Sequence, residues 1–389
     1  MKLLNRDFGK WRSSLNKQRI GLVGAFPRMP HDHHQLGMLR DAAARQGVEL
    51  IELDGKNLDE ALARKESTGY SDCEGYVCFR EDYTYQTALL DDSGNAPEDV
   101  ARLKRKDEAR QCLRDAGFEQ PATAEEPRDI PGPWVVKPRS GSGSAGVSVH
   151  TDLESAREAL RTLSDGFVET FVQGTEFSAE GYFYASEPVV VGITDKRLEG
   201  VVEIGHRYPS VLLSDHEEEI AASVISALNT WGLNAGLFHV EGWWVDGQGV
   251  VLGEGHVRPG GDFIHLLVSS VHGANIFDPL IADALRQHGR KNALNDGFVF
   301  PQRRDGHSSA VRYIQVPPGT ITAVSGVEEA LSEPGILAGY CTAEPGVRVE
   351  TASSSTERLG CLVAHACGGE DPEDILDRAM GKLRITVSN

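Results

Sequence analysis

Residues 134–150 read WVVKPRSGSGSAGVSVH, an apolar strand, a glycine-rich segment and a second short strand. We call Ser140 to Gly146 the glycine loop. Its glycines lack the GxxxxGK(S/T) and GxGxxG spacings that open a helix at a phosphate, so the loop should join two strands as a hairpin. Glycines let backbone N–H groups approach phosphate oxygens, and serines add hydroxyl donors. Taken alone, the pattern fits a phosphate loop and a surface hairpin tip equally well.

Lys137 favours the phosphate interpretation. It lies in the apolar strand just before the glycine loop, and a buried lysine needs a partner anion. A bound phosphate would supply that anion. Two alternatives stay open, namely a local carboxylate partner or an edge position that faces water.

The second informative stretch is residues 239–262, HVEGWWVDGQGVVLGEGHVRPGGD, in which DGQG predicts a hairpin turn. Glu241 and Glu254 lie on the two strands of this hairpin, where both can point to one face. Two neighbouring carboxylates repel each other unless a cation or proton lies between them. Oxygen ligands of this kind favour Mg²⁺, which commonly bridges carboxylates and substrate phosphates.

Glu254, His256 and Arg258 alternate along the chain, so they share one face of their strand. A solvated, charged sheet face is the alternative interpretation. The turn from Pro259 to Asp262 makes it less attractive, because such a turn can present backbone donors to a reacting group.

The N-terminal region alternates apolar runs with helical patterns, which predicts a small parallel α/β unit. Its strands are expected at 19–26, 48–53 and 75–79, with a helix from Gln35 to Gln46. A polar linker at 91–98 and a single charged helix at about 98–116 should follow. Further elements are predicted downstream as strands at 167–172, 176–184, 187–194, 237–246 and 249–257, and helices at 153–163, 216–231 and 371–383.

Composition narrows the function classes. The 389 residues carry a formal net charge of −19, which argues against a general nucleic-acid binder. No stretch approaches the roughly 20 apolar residues of a membrane span, and Met1 to Arg12 is polar, which favours the cytoplasm. The six scattered cysteines contain no CxxC pair, so we expect buried reduced thiols.

Taken in order, these segments resemble the ATP-grasp superfamily, and within it the carboxylate–amine ligases, above all the L-amino acid ligases. The resemblance covers nearly the whole chain. It implies an α/β ATP-grasp fold with a Rossmann-like N-terminal pre-grasp domain at 1–100. A lid lobe at 101–172, a catalytic lobe at 173–296 and a mixed α+β C-terminal subdomain at 297–389 would follow.

The resemblance also implies how ATP is held. The strand lysine and a lysine at the start of the helix before the lid would contact phosphate, with Lys104 as an alternative register for the latter. VETFVQGTEFS (168–178) would form the hinge and adenine pocket, and Glu176 would accept from the ribose hydroxyls. The implied ATP-binding residues are Lys106, Lys137, Ser140, Gly141, Ser142, Gly143, Ser144, Gly146, Glu169, Phe171, Val172, Glu176 and Lys196.

The metal would be Mg²⁺, with Mn²⁺ as an alternative, bound by Glu241, Glu254 and His256. The family pattern is Glu-x-Asn-x-Arg, whereas this chain has His256 at the asparagine position, and histidine is not an equivalent oxygen ligand. The implied catalytic groups are Arg258, for the charge on the acyl phosphate, and the backbone of Gly260 and Gly261.

The substrate segment would be TDKRLEGVVEIGHRYPS (194–210), where Tyr208 is a further candidate. The implied substrate contacts are Glu203, His206, Arg207 and Arg258, of which the three basic residues suggest an anionic substrate. The expected reaction joins an amino acid to another amino acid or a small carboxylic acid through an acyl phosphate and releases ADP and phosphate, with a homodimer as the family's habit and peptide-antibiotic synthesis as one context. A carboxylase, a kinase and a catalytically silent nucleotide-binding protein are the alternatives.

Overall fold

The computed structural model describes residues 18–69, 71–287, 298–352 and 354–388. The segment Met1 to Arg12 and the expected boundary between residues 296 and 297 lie outside the described residues. Across the described ranges, no helix combines the length and apolar character that crossing a membrane requires.

The N-terminal strands form a parallel sheet, as their alternation with helices predicts. The elements are β1 (Gln18–Val23), α1 (Pro30–Arg45), β2 (Val48–Leu53), α2 (Gly55–Thr68) and β3 (Tyr76–Val77). The strand order is β2-β1-β3, and both pairings are parallel. The last four residues of β1 are buried because helices cover a parallel sheet, which explains the continuous apolar run.

The single helix predicted at 98–116 is wrong, because the chain forms separate helices there. α3 (Thr84–Leu90) and α4 (Pro97–Leu103) precede α5 (Lys106–Asp115). Arg105 between α4 and α5 is extended, at φ −102° and ψ 106°, and the Lys106 N–H donates to the carbonyl of Arg139 at 2.9 Å. This contact with the neighbouring lobe ends one helix and makes Lys106 the first residue of the next.

The lobe that carries the glycine loop is a four-stranded antiparallel sheet with one helix. Its elements are β4 (Thr123–Ala124), β5 (Trp134–Pro138), β6 (Ser148–His150), α6 (Leu153–Thr162) and β7 (Gly166–Thr170). The order is β4-β7-β5-β6, so β5 and β6 form the predicted hairpin around the glycine loop. The helix packs on β5 and β7 and completes a small apolar core.

Five long strands then form the floor of the molecule: β8 (Thr175–Tyr184), β9 (Glu187–Glu199), β10 (Val202–Tyr208), β11 (Leu237–Val245) and β12 (Gly249–His256). The helix α7 (Glu217–Thr230) between β10 and β11 packs its apolar face on β9 and β12. Two buried helices, α8 (Ile264–His272) and α9 (Phe277–Gln287), follow β12.

The C-terminal part extends the same floor. Its elements are β13 (Ser308–Tyr313), β14 (Gly319–Ser325), α10 (Val327–Leu331), β15 (Ile336–Cys341), β16 (Arg348–Val349), β17 (Gly360–Ala366), α11 (Pro372–Met380) and β18 (Arg384–Ser388). The main sheet runs β12-β11-β8-β9-β10-β13-β17-β15 with antiparallel neighbours, and β16-β14-β18 form a small second sheet. The region predicted as the catalytic lobe and the C-terminal part therefore share one continuous eight-stranded sheet.

All six cysteines are free thiols. Cys73, Cys78 and Cys361 are buried, as expected, whereas Cys367 is exposed and contradicts the expectation of burial. It follows β17 directly, where the chain leaves the sheet for a turn.

Candidate active site

A cleft of about 570 Å³ opens between the glycine-loop sheet and the eight-stranded sheet. The sequence-predicted residues that line it are Lys106, Lys137, Gly141, Ser142, Gly143, Ser144, Glu169, Phe171, Val172, Glu176, Lys196, Glu203, Glu241, Glu254, His256, Arg258 and Gly261. Among the described residues, Ser140, Gly146, His206, Arg207 and Gly260 are outside this lining.

The anionic partner of Lys137 is a carboxylate of the protein itself, Glu169. Its Nζ lies 2.7 Å from Glu169 Oε1 and 3.7 Å from Glu254 Oε1, and Glu169 also pairs with the fully buried Arg110 at 2.6 Å. Burial lowers the pKa of Lys137, although Glu169 opposes this effect. The local-carboxylate alternative is therefore the observed arrangement, and the Glu169 carboxylate is engaged by two cations.

Lys106 connects the glycine loop to Glu254 on β12. Its Nζ donates to the Gly141 carbonyl at 2.7 Å and lies 3.1 Å from Glu254 Oε2. Lys104, the alternative register, instead donates to the carbonyl of Glu81 at 2.9 Å. The break between α4 and α5 thus places Lys106, and not Lys104, at the cleft.

Lys196 is surrounded by three carboxylates. Its Nζ lies 2.8 Å from Glu176, 2.6 Å from Glu203 and 3.2 Å from Glu241, and 2% of its side chain is exposed. Burial alone would lower the pKa of Lys196, but these carboxylates raise it well above its ordinary value. The lysine therefore joins the residues predicted for ribose, substrate and metal into one charge network.

His239 lies between two carboxylates on the floor of the cleft. Its Nδ1 is 2.8 Å from Glu180 Oε1, and its Nε2 is 3.0 Å from Glu241 Oε1. Burial disfavours the charged ring, yet the two carboxylates raise the pKa of His239 to about 9. In turn, Lys196 and His239 overcome burial and hold the pKa of Glu241 well below its usual range.

Gly260 packs against this histidine. A Cβ on Gly260 would lie 3.0 Å from Glu180 Oε2, 3.0 Å from Ile264 Cβ and 3.1 Å from His239 Nδ1. A Cβ on Gly261 would have no atom within 4 Å. Gly260 is therefore required for close packing beneath the turn, whereas Gly261 faces open space in the cleft.

Glu241 and Glu254 fit a divalent cation. Burial opposes ionisation, but Lys106 and Lys137 lower the pKa of Glu254 to about 2, while the charge of Glu241 raises it. Two ionised carboxylates on the adjacent strands β11 and β12 thus repel each other, and a cation between them would relieve this repulsion. Carboxylate oxygens of this kind are hard ligands, as Mg²⁺ prefers.

His256 and Arg258 both contact Glu81 of the N-terminal unit. His256 Nδ1 lies 2.8 Å from Glu81 Oε2, and Arg258 Nε lies 3.0 Å from the same oxygen. His256 Nε2 remains 3.8 Å from Glu254 Oε2. Burial opposes the ionisation of Glu81, but His256 and Arg258 hold its pKa far below the usual range.

The far end of the cleft is acidic. Ligand atoms of Glu203, His206 and Asp262 lie within 4.8 Å of one another, the one such convergence among the described residues. Arg358 binds both oxygens of Asp262, at 2.8 and 2.7 Å, and Lys196 binds Glu203. These cations offset part of the negative charge, while Glu203 and Asp262 still line the cleft, where their carboxylates can accept hydrogen bonds from an ammonium group.

Two predicted substrate contacts are wrong. Arg207 pairs with Asp371 at 2.6 Å and does not line the cleft, because it points to the opposite face of β10 from His206. The Tyr208 ring is fully buried, and its Oη lies 2.6 Å from His272 Nε2. His206 is buried behind Glu203 and Asp262, so it reaches the cleft only through those carboxylates.

The opposite end of the cleft is more apolar. Val135 and Val149 come from the glycine-loop sheet, and Phe171 and Val172 from the segment between β7 and β8. The Phe171 N–H is donated to the Pro133 carbonyl at 2.8 Å, so that backbone group is occupied. This end can receive a flat aromatic base, as the adenine assignment requires.

Several residues of the glycine loop have a left-handed backbone conformation that favours glycine. Gly141, Gly143 and Gly146 have φ of 136°, 67° and 75°, where residues with a Cβ are strained. Ser144 shares this conformation at φ 58°. The Gly143 carbonyl accepts a hydrogen bond from the Ser355 N–H at 3.0 Å, so the loop rests on the C-terminal part of the chain.

Sequence reasoning missed several cleft residues, namely Glu81, His239, Asp262 as a side chain, and Arg358, as well as Glu180, which contacts His239 from outside the lining. For His239 a signal existed, because it lies two residues before Glu241 and therefore shares its face of β11. The contact between Glu81 and His256 spans 175 positions, and that between Asp262 and Arg358 spans 96, without a local pattern that predicts either.

Two family models match this arrangement. Residues 104–237 match the ATP-grasp domain, which spans both sheets of the cleft. Residues 312–388 match the L-amino acid ligase C-terminal domain 2. Each model thus matches one part of the chain.

Individual proteins are also similar to this chain in sequence or in fold. The chain is 26% identical over 375 residues to the uncharacterized protein y4rH of Sinorhizobium fredii, which covers 90% of this chain and 76% of that protein. The L-amino acid ligase of Bacillus licheniformis has a similar fold, with TM-score 0.76, 18% identity, and 96% and 99% of the two chains covered.

The biotin carboxylase domain of Hydrogenobacter thermophilus 2-oxoglutarate carboxylase, solved with MgADP and bicarbonate, also shares the fold. Its TM-score is 0.66 at 14% identity, with 96% of this chain and 91% of that chain covered.

Proposed function

We propose that this protein is an ATP-dependent carboxylate–amine ligase that forms an amide or peptide bond through an acyl phosphate and releases ADP and phosphate. The observation that carries the proposal is the pair of ionised carboxylates Glu241 and Glu254, which lie between two lysines and the arginine turn in one cleft. A nucleotide-binding scaffold has no use for Arg258 beside such carboxylates.

ATP would lie with its base against Val135 and Phe171 and its phosphates beneath the glycine loop. Lys106 and Lys137 carry positive charge at the centre of the cleft, and the loop adds backbone N–H donors. Glu241 and Glu254 would hold Mg²⁺, which supplies charge neutralisation on the transferring phosphoryl group.

A substrate carboxylate would attack the γ-phosphorus in line, giving an acyl phosphate and ADP. An amine then attacks the acyl carbon, phosphate leaves, and the amine nitrogen loses a proton as the amide forms. Arg258 would stabilise the charge that develops on the acyl oxygen and phosphate. The glycine loop would exclude water, which would otherwise hydrolyse the acyl phosphate.

An amino acid suits the far end of the cleft. Glu203 and Asp262 offer negative charge for an ammonium group, while Arg258 offers positive charge for a carboxylate. The expectation of a purely anionic substrate rested partly on Arg207, which lies elsewhere. A zwitterionic substrate therefore matches the charges better.

The test is product analysis with ATP and a panel of paired amino acids and small carboxylic acids. Phosphorus NMR should show ADP and phosphate, with ADP release dependent on both acid and amine. Glu254→Gln and Arg258→Ala should abolish ligation and leave the fold intact. Release of AMP and pyrophosphate would exclude the acyl-phosphate route, and near-wild-type turnover of either variant would exclude the assigned site.

The similarity to the biotin carboxylase domain favours carboxylation as a second candidate. In that case ADP release would require bicarbonate and not an added carboxylate. A stable phosphorylated product would instead indicate a kinase, and ATP binding without acceptor-dependent ADP release would indicate a silent nucleotide-binding protein.

A further inference from the structure

The C-terminal domain reaches the cleft through one short segment. Ser355 begins a 3₁₀ turn, Ser355–Glu357, and its N–H donates to the carbonyl of Gly143 in the glycine loop at 3.0 Å. The carbonyl of Ser355 accepts from Arg358 Nε at 2.7 Å. Ser355 and Arg358 both line the cleft, and this segment contacts the glycine loop at one side and Asp262 at the other.

Arg358 is held by several partners at once. Its guanidinium binds both oxygens of Asp262 and donates to the Glu203 carbonyl at 3.1 Å. It also lies 3.5 Å from the centre of the Tyr313 ring, and 4% of its side chain is exposed. Only the planar, multiply donating guanidinium can serve these acceptors together, because a lysine ammonium is a point charge.

Asp262 needs such an anchor. Asp262 and Phe263 have φ of 51° and 63°, a left-handed conformation that costs free energy in residues with a Cβ. They end the turn that begins at Arg258 and includes Gly260 and Gly261. The two hydrogen bonds from Arg358 hold this strained turn from the side of the C-terminal domain.

We propose that Arg358 is a positioning residue that, through Ser355, couples the closed glycine loop to the turn that carries Arg258. The continuous contacts run from Gly143 to Ser355, then to Arg358 and Asp262. When the loop closes over ATP, this connection brings the arginine turn and the substrate end into place. The role in catalysis rests on the proposed ligase function, but the physical coupling does not require turnover.

Ser355 offers a matched pair of variants. Ser355→Pro removes the N–H that binds Gly143, and the site accepts proline, because Ser355 is the first residue of its turn and Ser354 is extended at φ −150° and ψ 162°. Ser355→Ala keeps the N–H and removes the hydroxyl. The pair thus separates the backbone hydrogen bond from the side chain without disturbing a buried charge.

Hydrogen–deuterium exchange on the full-length protein with MgAMP-PNP, a non-hydrolysable ATP analogue, measures the protection of both the glycine loop and the turn at 259–264. Ser355→Pro should speed exchange about fivefold in the glycine loop, the factor expected for one backbone hydrogen bond. It should also speed exchange in the turn at 259–264, while Ser355→Ala should match wild type in both segments. Unchanged loop exchange, an effect confined to the loop, or equal effects of the two variants would each overturn the coupling.

Arg358→Lys tests the other end of the connection. This variant should speed exchange in the glycine loop and in the turn at 259–264, and it should weaken AMP-PNP binding about fivefold. The double variant with Ser355→Pro should show little further increase in exchange, because both substitutions break the same connection. Arg378→Lys is the control for losing a guanidinium elsewhere, since Arg378 forms ion pairs with Glu333 and Glu370 but does not line the cleft.

If Arg358→Lys only lowers thermal stability, or if the two effects add fully, Arg358 is merely structural. Failure of the ligase proposal would appear separately, as absent acceptor-dependent ADP release in the wild-type protein, because exchange and AMP-PNP binding need no reaction.

Discussion

Replacing His239 with glutamine should flatten the pH dependence of stability in the metal-free protein. Glu180 and Glu241 contact the ring, His256 stacks on it at 5.8 Å, and Lys196 lies 3.2 Å from Glu241. The net effect, against burial, raises the pKa of His239 from 6.5 to about 9. A difference of this size corresponds to about 3 kcal/mol of stability, since each pKa unit is about 1.4 kcal/mol.

The sign follows from the raised pKa. Folding favours protonated His239, so its contribution is complete below pH 6.5 and is lost as the pH rises through about 9. Glutamine cannot take up this proton. Between those limits, the wild-type protein should therefore lose about 3 kcal/mol more stability than His239→Gln.

Urea unfolding with EDTA, at about pH 6 and about pH 9.5, measures this difference. Tryptophan fluorescence follows the transition, and two of the five tryptophans, Trp243 and Trp244, lie on β11 with His239. His150→Gln is the control, since His150 is bonded to the hydroxyls of Ser148 and Ser155. If His239→Gln loses as much stability as the wild type, His239 is not held as a cation between the two carboxylates.

Three further predictions concern the same cleft. Glu169→Gln should destabilise the fold by about 3–5 kcal/mol in urea unfolding, because it leaves Arg110 and Lys137 buried without their shared carboxylate; a change below about 1 kcal/mol would mean that the pair is solvated. Gly260→Ala should lower the free energy of unfolding by about 1–3 kcal/mol through overpacking, whereas Gly261→Ala should have no measurable effect. Equal shifts of the melting temperature in the two variants would contradict this difference. EDTA should stop ADP release and excess Mg²⁺ should restore it, because Glu241 and Glu254 need a cation between them; release that persists in EDTA would exclude a metal at this pair.

Local patterns made much of the fold predictable. The glycine loop lies on a β5–β6 hairpin because its glycines follow an apolar strand and precede another, which are adjacent in sequence. The alternation of Glu254, His256 and Arg258 likewise survives in the structure, where the last two share Glu81. In both cases the geometry depends on neighbours within a few residues.

The partners of these residues were not predictable in the same way. Lys137 required an anion, but Glu169 is on β7, and pairing of β5 with β7 depends on strand order and register. The break before Lys106 depends on a hydrogen bond to Arg139, 33 positions away, in another lobe. Helix propensity is continuous through that point, so tertiary contact overrides it.

At His256, a partner that is distant in sequence changes how the departure from the family's sequence pattern is interpreted. The pattern of the family has asparagine here, and histidine by itself weakens the case for a standard metal site. Glu81, however, accepts from His256 Nδ1, and His256 Nε2 lies 3.8 Å from Glu254 Oε2, so the ring is oriented between these two carboxylates. A carboxylate that orients a histidine in this way is the arrangement that commonly supports histidine as a metal ligand. Because Arg258 binds the same oxygen of Glu81, the N-terminal unit orients His256 and Arg258 together.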